Sequence, residues 1–466
     1  MFAGGRRLAT VTLAGGVGLQ AIEAFIGSTL LPSVVGEIGG LELFAWNATV
    51  FIVASIAASI FAAVRPFGVG PRGVYVFAAA GFGLGSLICG FAPNIEVFLA
   101  GRAVQGFGAG LLTAIAYSMI RLVFPAELWG RAFGLISSIW GVATLIGPAI
   151  GGIFAAYGAW RLAFFVLVPC AVLLATFAVR VLPRASGEAG MRSFPVLQIV
   201  LVIGAVAAIS VASILTEGIL LPSLLIALAV LLIVALQRID SRRVVRLFPT
   251  GSFTWGTNLA ALFGAMMLLN SAIITDMFVP LFLQRLHGQA PLIAGYMVAL
   301  TAVGWSTGSM LVANWTGARE RVVLVLGPSL QLAGLVGLLL FMGRENTGGA
   351  LLPLLPIGLS LLLLGAGIGI AWPHIEARLL HAAPRGEADL TAAAISMAQL
   401  FASGFSAAVA GVVVNAAGLA SGEGVAATIS AATWLYGLFA LIPLVAIPVT
   451  WSLSHRDRVP LHQAAE

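Results

Sequence analysis

The chain is a succession of long apolar runs joined by connections too short to hold a soluble domain. The runs lie at 8–32, 44–64, 73–93, 96–121, 129–157, 160–182, 194–215, 219–238, 254–284, 289–316, 321–342, 352–381, 388–417 and 427–453. A membrane-crossing helix needs about 20 mostly apolar residues. In hydrocarbon every backbone N–H and C=O must be satisfied inside the protein, which leaves helices or closed barrels. Fourteen runs of this length predict an all-α polytopic membrane protein with fourteen transmembrane helices. Composition agrees: 60% of residues are hydrophobic and 9% charged, against about 25% charged in soluble domains. Even a large soluble domain buries only about 75% of its chain's surface. That excludes a soluble enzyme, a nucleic-acid binder and a disordered scaffold. Arg6 and Arg7 before an apolar run resemble a signal-peptide start. The run carries Glu23 and meets no small-residue cleavage site, so it reads as a retained first helix.

There is no lysine, so all 23 basic residues are arginine, and the net charge is +6. With the N-terminus cytoplasmic, 19 of the 23 fall in inside loops and tails. Arg161, Arg285 and Arg344 lie outside, and Arg102 lies within a span. The positive-inside rule therefore predicts an N-in, C-in topology. Two basic stretches, Arg180–Arg192 and Arg238–Arg246, divide the chain into a six-helix bundle over 1–185, an inserted hairpin with basic linkers over 186–246, and a six-helix bundle over 247–466. Glu217 falls in the outer turn of the hairpin. Transporters are often built from such repeats, with the substrate site between them near the midplane. Cys89 and Cys170 have no ligand-like neighbours and read as small packing residues.

Ionisable side chains inside spans are costly and usually face a cavity or a partner. Three stand out: Glu23, Arg102 and Asp276. At ~1.5 Å per residue, Glu23 lies roughly 14 Å deep, Arg102 roughly 9 Å and Asp276 about 12 Å. Arginine reach predicts a Glu23–Arg102 contact if their helices adjoin. Glu23 and Asp276 fit carboxylates that carry a proton or recognise a cation, since burial and a movable arginine act oppositely on protonation. A static ion pair or a hydrated mouth residue is the plainer alternative.

Gly106 and Gly110 lie one turn apart and permit close helix approach. Gly147 and Gly151 form a second small-residue face, and Pro148 between them removes a helical hydrogen bond. These residues resemble a family. GRAVQGFGAG at 101–110 is similar to the fourth-helix motif of the major facilitator superfamily, and GPAIGG at 147–152 to the fifth-helix motif of its drug:proton antiporters. EAFIGSTLLP at 23–32 resembles its first-helix motif, with Glu23 as the membrane acid. WRLAFFVLVP at 160–169 and LFLQRLHGQAPLIAG at 281–295 resemble segments of its fourteen-helix branch. The resemblance implies alternating access between two bundles, driven by protons, in a bacterial plasma membrane. It makes Arg102 the intramembrane arginine, and Gly147, Pro148, Gly151 and Gly152 the antiporter motif. Asp276 matches no motif and rests on depth.

One departure is plain. The family's loop between helices 2 and 3 carries Gly-x-x-x-Asp-Arg-x-Gly-Arg-Arg. Here AVRPFGVGPR at 63–72 puts Phe67 in place of the acid, and MLVANWTGAR at 310–319 puts Asn314 there. Arg72 and Arg319 remain as cytoplasmic gate residues. Polar or aromatic side chains within spans that are candidates for lining a substrate cavity are Gln20, Asn47, Gln105, Tyr117, Trp140, Asn270, Trp305 and Gln399. Trp129, Trp160, Trp255, Trp315 and Trp451 suit the membrane interfaces. His374, Glu376, Arg378 and His381 read as a solvated helix end.

The expected function is proton-coupled export of amphipathic or cationic drugs. The alternative is a dedicated exporter of a lipid, siderophore or other metabolite. A membrane-embedded transferase is disfavoured, because no histidine is placed for an H-x-x-x-x-D motif. The expected partners are a small-molecule substrate, protons and the lipid bilayer. No cofactor, metal or nucleic acid is expected, and the chain is expected to act as a monomer.

Overall fold

The computed structural model describes residues 6–64, 70–123, 129–184, 195–215, 220–421 and 424–456. Among the described residues there are sixteen α-helices and no strand. They are α1 (Arg6–Ile38), α2 (Trp46–Val64), α3 (Pro71–Phe91), α4 (Ile95–Val123), α5 (Trp129–Ala156), α6 (Trp160–Val181), α7 (Val196–Ile214), α8 (Leu220–Arg242), α9 (Asn258–Ile273), α10 (Val279–Leu286), α11 (Pro291–Val312), α12 (Ala318–Phe341), α13 (Leu354–His381), α14 (Ala388–Ala416), α15 (Gly424–Phe439) and α16 (Leu441–Arg456). Among the described residues, 12 helical stretches are long and apolar enough to cross a membrane, α9–α10 and α15–α16 each counting as one. Phe67 and Glu217 lie outside the described residues, as do the side chains of Arg65, Arg121, Arg131 and Arg192.

Local chemistry sets the breaks. Pro280 has no N–H and its ring would clash with the carbonyl four residues back, that of Asp276. The chain answers with a 3₁₀ turn over Ile274–Phe278, in which the Asp276 carbonyl accepts from Val279 instead. The Thr257 side chain caps α9 by accepting from the Ala260 amide at 3.2 Å, which satisfies an otherwise orphaned donor.

Two groups of helices pack by the same pattern. In the first, α4 packs on α1, α2 and α3, α5 on α1, and α6 on α1 and α3. In the second, α13 packs on α9, α11 and α12, α14 on α9, and α16 on α9 and α12. Glycines make the pattern possible. A Cβ on Gly106 would meet the α2 backbone at Phe51, and one on Gly110 would meet it at Ser55. A Cβ on Gly365 would meet α11 at Thr301, and one on Gly369 would meet it at Trp305. Gly108 likewise lies on α3 at Phe82, and Gly367 on α12 at Gly327. The segments GFGAG at 106–110 and GAGIG at 365–369 are thus equivalent.

The two groups meet chiefly through α5 on α11 and α2 on α14. Gly152 lies against Leu292, and Gly295 against Thr29 and Pro148. Further out, Phe44 stacks on Phe278 with centroids 5.2 Å apart. The Asn415 amide donates to the Glu42 carbonyl at 2.7 Å and the Ser213 carbonyl at 2.8 Å. Helix α7 is wedged here, between α2 and α14, and the Trp46 indole donates to its Ser210 carbonyl at 3.0 Å. At the end that carries the start of α1, Tyr117, Ser118, Trp140 and Gly141 are exposed. The groups therefore enclose a cleft closed at one end and open at the other.

Three expectations need correction. Trp160 is no interfacial residue: it is buried between Phe98 and Phe164, and its indole donates to Glu37 at 2.6 Å. A buried indole needs such a partner, and the carboxylate at the end of α1 supplies one. Cys170 is exposed rather than packed, whereas Cys89 is buried. The polar end of α13 is not uniformly solvated: His374 is buried, and Arg378 is paired with Glu320 at 2.6 Å.

Candidate functional site

The first group holds a buried polar chain. Arg102 on α4 donates to the Glu23 carboxylate on α1 and, at 2.5 Å, to the side-chain Oε1 of Gln105. The Gln105 amide donates on to the Ser86 hydroxyl of α3 at 2.9 Å. Glu23 is 0% exposed and Arg102 4%. The guanidinium also lies 4.4 Å from the centre of the Phe51 ring on α2, a cation–π contact strengthened by dehydration. Gly27 leaves room for the pair, since a Cβ there would sit 3.1 Å from the Glu23 oxygen. One turn before Glu23, Gln20 accepts from the Thr113 hydroxyl of α4.

Satisfaction is incomplete. Glu23 Oε2 and Arg102 Nε are buried without a hydrogen-bond partner among the described residues. Removing one member of a buried pair leaves an uncompensated charge, at a cost of about 3–5 kcal/mol. A carboxylate with one paired and one bare oxygen offers a proton a place to sit, and a proton there removes the charge that holds the arginine.

The other predicted residues divide by position. Asn270 on α9 donates to the Gln399 carbonyl at 3.1 Å and to the Ser403 hydroxyl at 2.7 Å, so it joins α9 to α14. Asp276 occupies the 3₁₀ turn between α9 and α10 and forms no ion pair with an arginine among the described residues. Asn47 is buried at the start of α2, at the closed end of the cleft, with its oxygen unpartnered. Trp305 lies 5.6 Å from Trp372, ring to ring. Tyr117 and Trp140 are exposed at the open end. The structure therefore joins Gln105 to Glu23 and Arg102, and brings Asn270 to Gln399, but it does not bring Asp276 to Glu23.

The antiporter-motif glycines act by contact. A Cβ on Gly147 would meet Phe25 and the Ile22 carbonyl, and one on Gly151 would meet Thr29 and Ile26, all on α1. Gly152 faces the second group at Leu292. Arg72 binds within the first group, its Nε donating to the Leu182 carbonyl at 2.8 Å. Arg319 lies 6.0 Å from the Trp315 ring centre, and Asn314 is exposed. Sequence reasoning passes over Ser86 and Phe51, which carry no charge. It also passes over the second GxGxG copy at 365–369, a repeat that would have flagged α13 as the partner of α4.

Residues 13–411 match the Major Facilitator Superfamily. A protein of Mycobacterium tuberculosis named "Probable multidrug-efflux transporter" is 36% identical over 461 residues, covering 96% of this chain and 95% of that one. The "Multidrug transporter protein MdtP" of Bacillus subtilis is 25% identical, over 85% of this chain and 73% of its own. A solved POT family transporter in complex with a thioalcohol-conjugated peptide shares the fold, with a TM-score of 0.67 at 13% identity, covering 96% of each chain. The chain belongs to the major facilitator superfamily. It is a multi-pass membrane transporter, not an enzyme, which removes the transferase alternative.

Proposed function

We propose that this major facilitator protein is a multidrug-efflux transporter that exports amphipathic or cationic drugs in exchange for protons. The observation that carries the reading is the buried Glu23 carboxylate, held on one oxygen by Arg102 and bare on the other. Protonation of Glu23 weakens its hold on Arg102, and deprotonation restores it, so proton binding is linked to the packing of α1 against α4. The names of the M. tuberculosis and B. subtilis relatives support drugs as the cargo.

Fourteen spans fit this reading. The helices α2 and α11, of 19 and 22 residues, add to the 12 stretches already apolar enough. They make two six-helix bundles with α7–α8 as an inserted hairpin, in the manner of the fourteen-helix drug:proton antiporters. With both termini inside, the cleft opens to the cytoplasm and is closed to the outside by Phe44, Phe278 and Asn415. Tyr117, Trp140 and Trp305 line it, Asp276 serves as a second proton-binding acid, and Arg72 and Arg319 belong to the cytoplasmic gate. The protein works as a monomer in a bacterial plasma membrane.

The test is transport in proteoliposomes under an imposed pH gradient. Drug movement should follow the gradient and vanish in Glu23→Gln. Equal flux with and without the gradient would sink proton coupling. The uncharged Asn314 favours the dedicated-exporter alternative. A resistance panel in an efflux-deficient host separates the two, because protection from several unrelated cations requires the multidrug pump.

A further inference from the structure

One groove runs between the start of α3 and the end of α6, and a second between the start of α12 and the end of α16. Their volumes are about 650 and 520 Å³. Arg72, Gly73, Val76, Phe77 and Ala80 form the α3 side of the first. Arg321, Val322, Val325, Leu326 and Ser329 form the same helical stripe on α12 in the second. Packing makes the two stripes equivalent residue by residue. A Cβ on Gly108 would meet α3 at the Ala78 carbonyl and the Phe82 nitrogen, and one on Gly367 would meet α12 at the Gly327 carbonyl and the Gln331 nitrogen. Ala78 and Gly327 are 249 residues apart, and so are Phe82 and Gln331, Arg72 and Arg321, and every other pair of the two stripes. The groove therefore belongs to the repeat, once per bundle, and not to one loop.

Each groove joins positive charge to an exposed apolar wall. The first sets Arg72 and Arg184 beside Phe77 and Val179, and the second sets Arg321 beside Val322, Leu326 and Trp451. All five apolar side chains are exposed. Among the described residues Arg72, Arg184 and Arg321 have no ion pair. The Arg72 Nε is committed to the Leu182 carbonyl, which leaves its two terminal nitrogens for a ligand. Both grooves lie at the open end of the cleft. Tyr75, next to the first, donates to the Thr12 carbonyl near the start of α1. Helix α11 begins at the closed end, where Leu292 meets Gly152 of α5, so the start of α12 lies at the open one. The bundles meet chiefly through α2, α5, α11 and α14. The grooves therefore lie on the backs of the bundles and not in the cleft.

We propose that each groove holds one anionic phospholipid, its phosphate on the arginines and its acyl chains along the apolar stripe. Guanidinium groups match phosphate oxygens in charge and in geometry. The exposed apolar wall beside them takes chains that a free phosphate lacks, and the arginines repel a cation. With the N-terminus inside, as proposed above, this end meets the cytoplasmic leaflet, where basic pockets between helices attract anionic headgroups. Trp451 suits that depth. Each lipid bridges two helices of the same bundle, α3 to α6 or α12 to α16, so it travels with that bundle when the two rock. The packing also matches Arg72 with Arg321 and not with Arg319, so the second groove has its own arginine apart from the gate residue.

The test is native mass spectrometry of the purified full-length protein, delipidated in detergent and titrated with dioleoylphosphatidylglycerol. Wild type should retain two of these lipids and bind the zwitterionic dioleoylphosphatidylcholine about fivefold more weakly or worse. Arg184→Gln and Arg321→Gln should each weaken one of the two sites by about fivefold, and the double variant should weaken both. Arg344→Gln removes an exposed arginine at the opposite end and should bind as wild type does. Unchanged elution profiles and melting points without lipid show that the variants fold. Excess inorganic phosphate should leave the lipids in place. No drug and no pH gradient enters the assay, so its failure is distinct from a failure of the transport reading. Equal binding of the two lipids, full binding by the double variant, or displacement by inorganic phosphate would overturn the proposal.

Discussion

Arg102 and Glu23 form an ion pair between α4 and α1 in which neither side chain reaches solvent. The pair is stabilising only while both members are present, because each charge compensates the burial of the other. Arg102→Ala should therefore lower the stability of the detergent-solubilised protein by about 3–5 kcal/mol, leaving Glu23 buried beside a hole. The double variant Glu23→Gln with Arg102→Met should recover most of that loss, since no charge is then buried. Wild type, Glu23→Gln, Arg102→Met and the double variant form a double-mutant cycle read by thermal unfolding. Additive losses would show that the pair is not coupled.

The GxGxG segments give a prediction of opposite signs. A Cβ on Gly108 would come within 2.6 Å of the Ala78 carbonyl and 2.8 Å of Phe82 Cα. One on Gly367 would come within 2.5 Å of the Gly327 carbonyl oxygen and 2.7 Å of the Gln331 amide nitrogen. These neighbours are backbone and cannot step aside. Gly108→Ala and Gly367→Ala should each cost about 1–3 kcal/mol. Gly141 and Gly264 are helical glycines with nothing within 4 Å of the added atom, so alanine there should be neutral or gain up to about 1 kcal/mol. Melting points of the four variants check the contrast, and equal shifts for all four would refute it.

What the sequence made legible follows from scarcity. In a chain with few charges, an acid and an arginine inside apolar runs had to find one another, and Glu23 and Arg102 do. Asp276 shows the limit: its depth is readable, but the 3₁₀ turn around it depends on Pro280 and on no partner acid. Glu376 reads as a helix end because four polar residues fall together there. Only the packing of α13 turns Arg378 to Glu320 and buries His374. Trp160 sits where an interfacial tryptophan belongs, and its burial depends on Glu37, 123 residues away. The spans themselves were readable from apolar length. The pairing of α4 with α13 was written in two glycine triplets that acquire meaning only when both are seen against their neighbours.

The closed end of the cleft is held by a junction of three segments. Asn415 on α14 donates to the carbonyls of Glu42 and Ser213, and Trp46 donates to Ser210. Asn415→Ala removes two hydrogen bonds, each worth about 0.5–1.5 kcal/mol, from this state alone. The balance should move towards the state in which this end opens. Spin labels at Tyr157→Cys and Leu352→Cys, with Cys89 and Cys170 replaced by alanine, report the separation of the two groups by double electron–electron resonance. The long-distance population should grow in Asn415→Ala. An unchanged distribution would mean that the junction does not hold the end shut.

The last prediction concerns pH. His287 follows α10 and is fully buried, and its Nε2–H donates to the Met342 carbonyl at 3.0 Å while Nδ1 has no partner among the described residues. Burial pushes the imidazole below its ordinary value, and the Met342 carbonyl offsets only part of that. In the unfolded chain the same group protonates near its free value of about 6.5. As pH falls through that value the unfolded chain takes up a proton that the folded protein resists, so stability falls. Above about pH 7.5 the imidazole is neutral in both states and contributes no slope. His287→Gln keeps an N–H donor for Met342 and removes the titration. Melting curves from pH 8 to pH 5 should therefore fall more steeply for wild type than for His287→Gln. Parallel curves would show that His287 does not carry the slope.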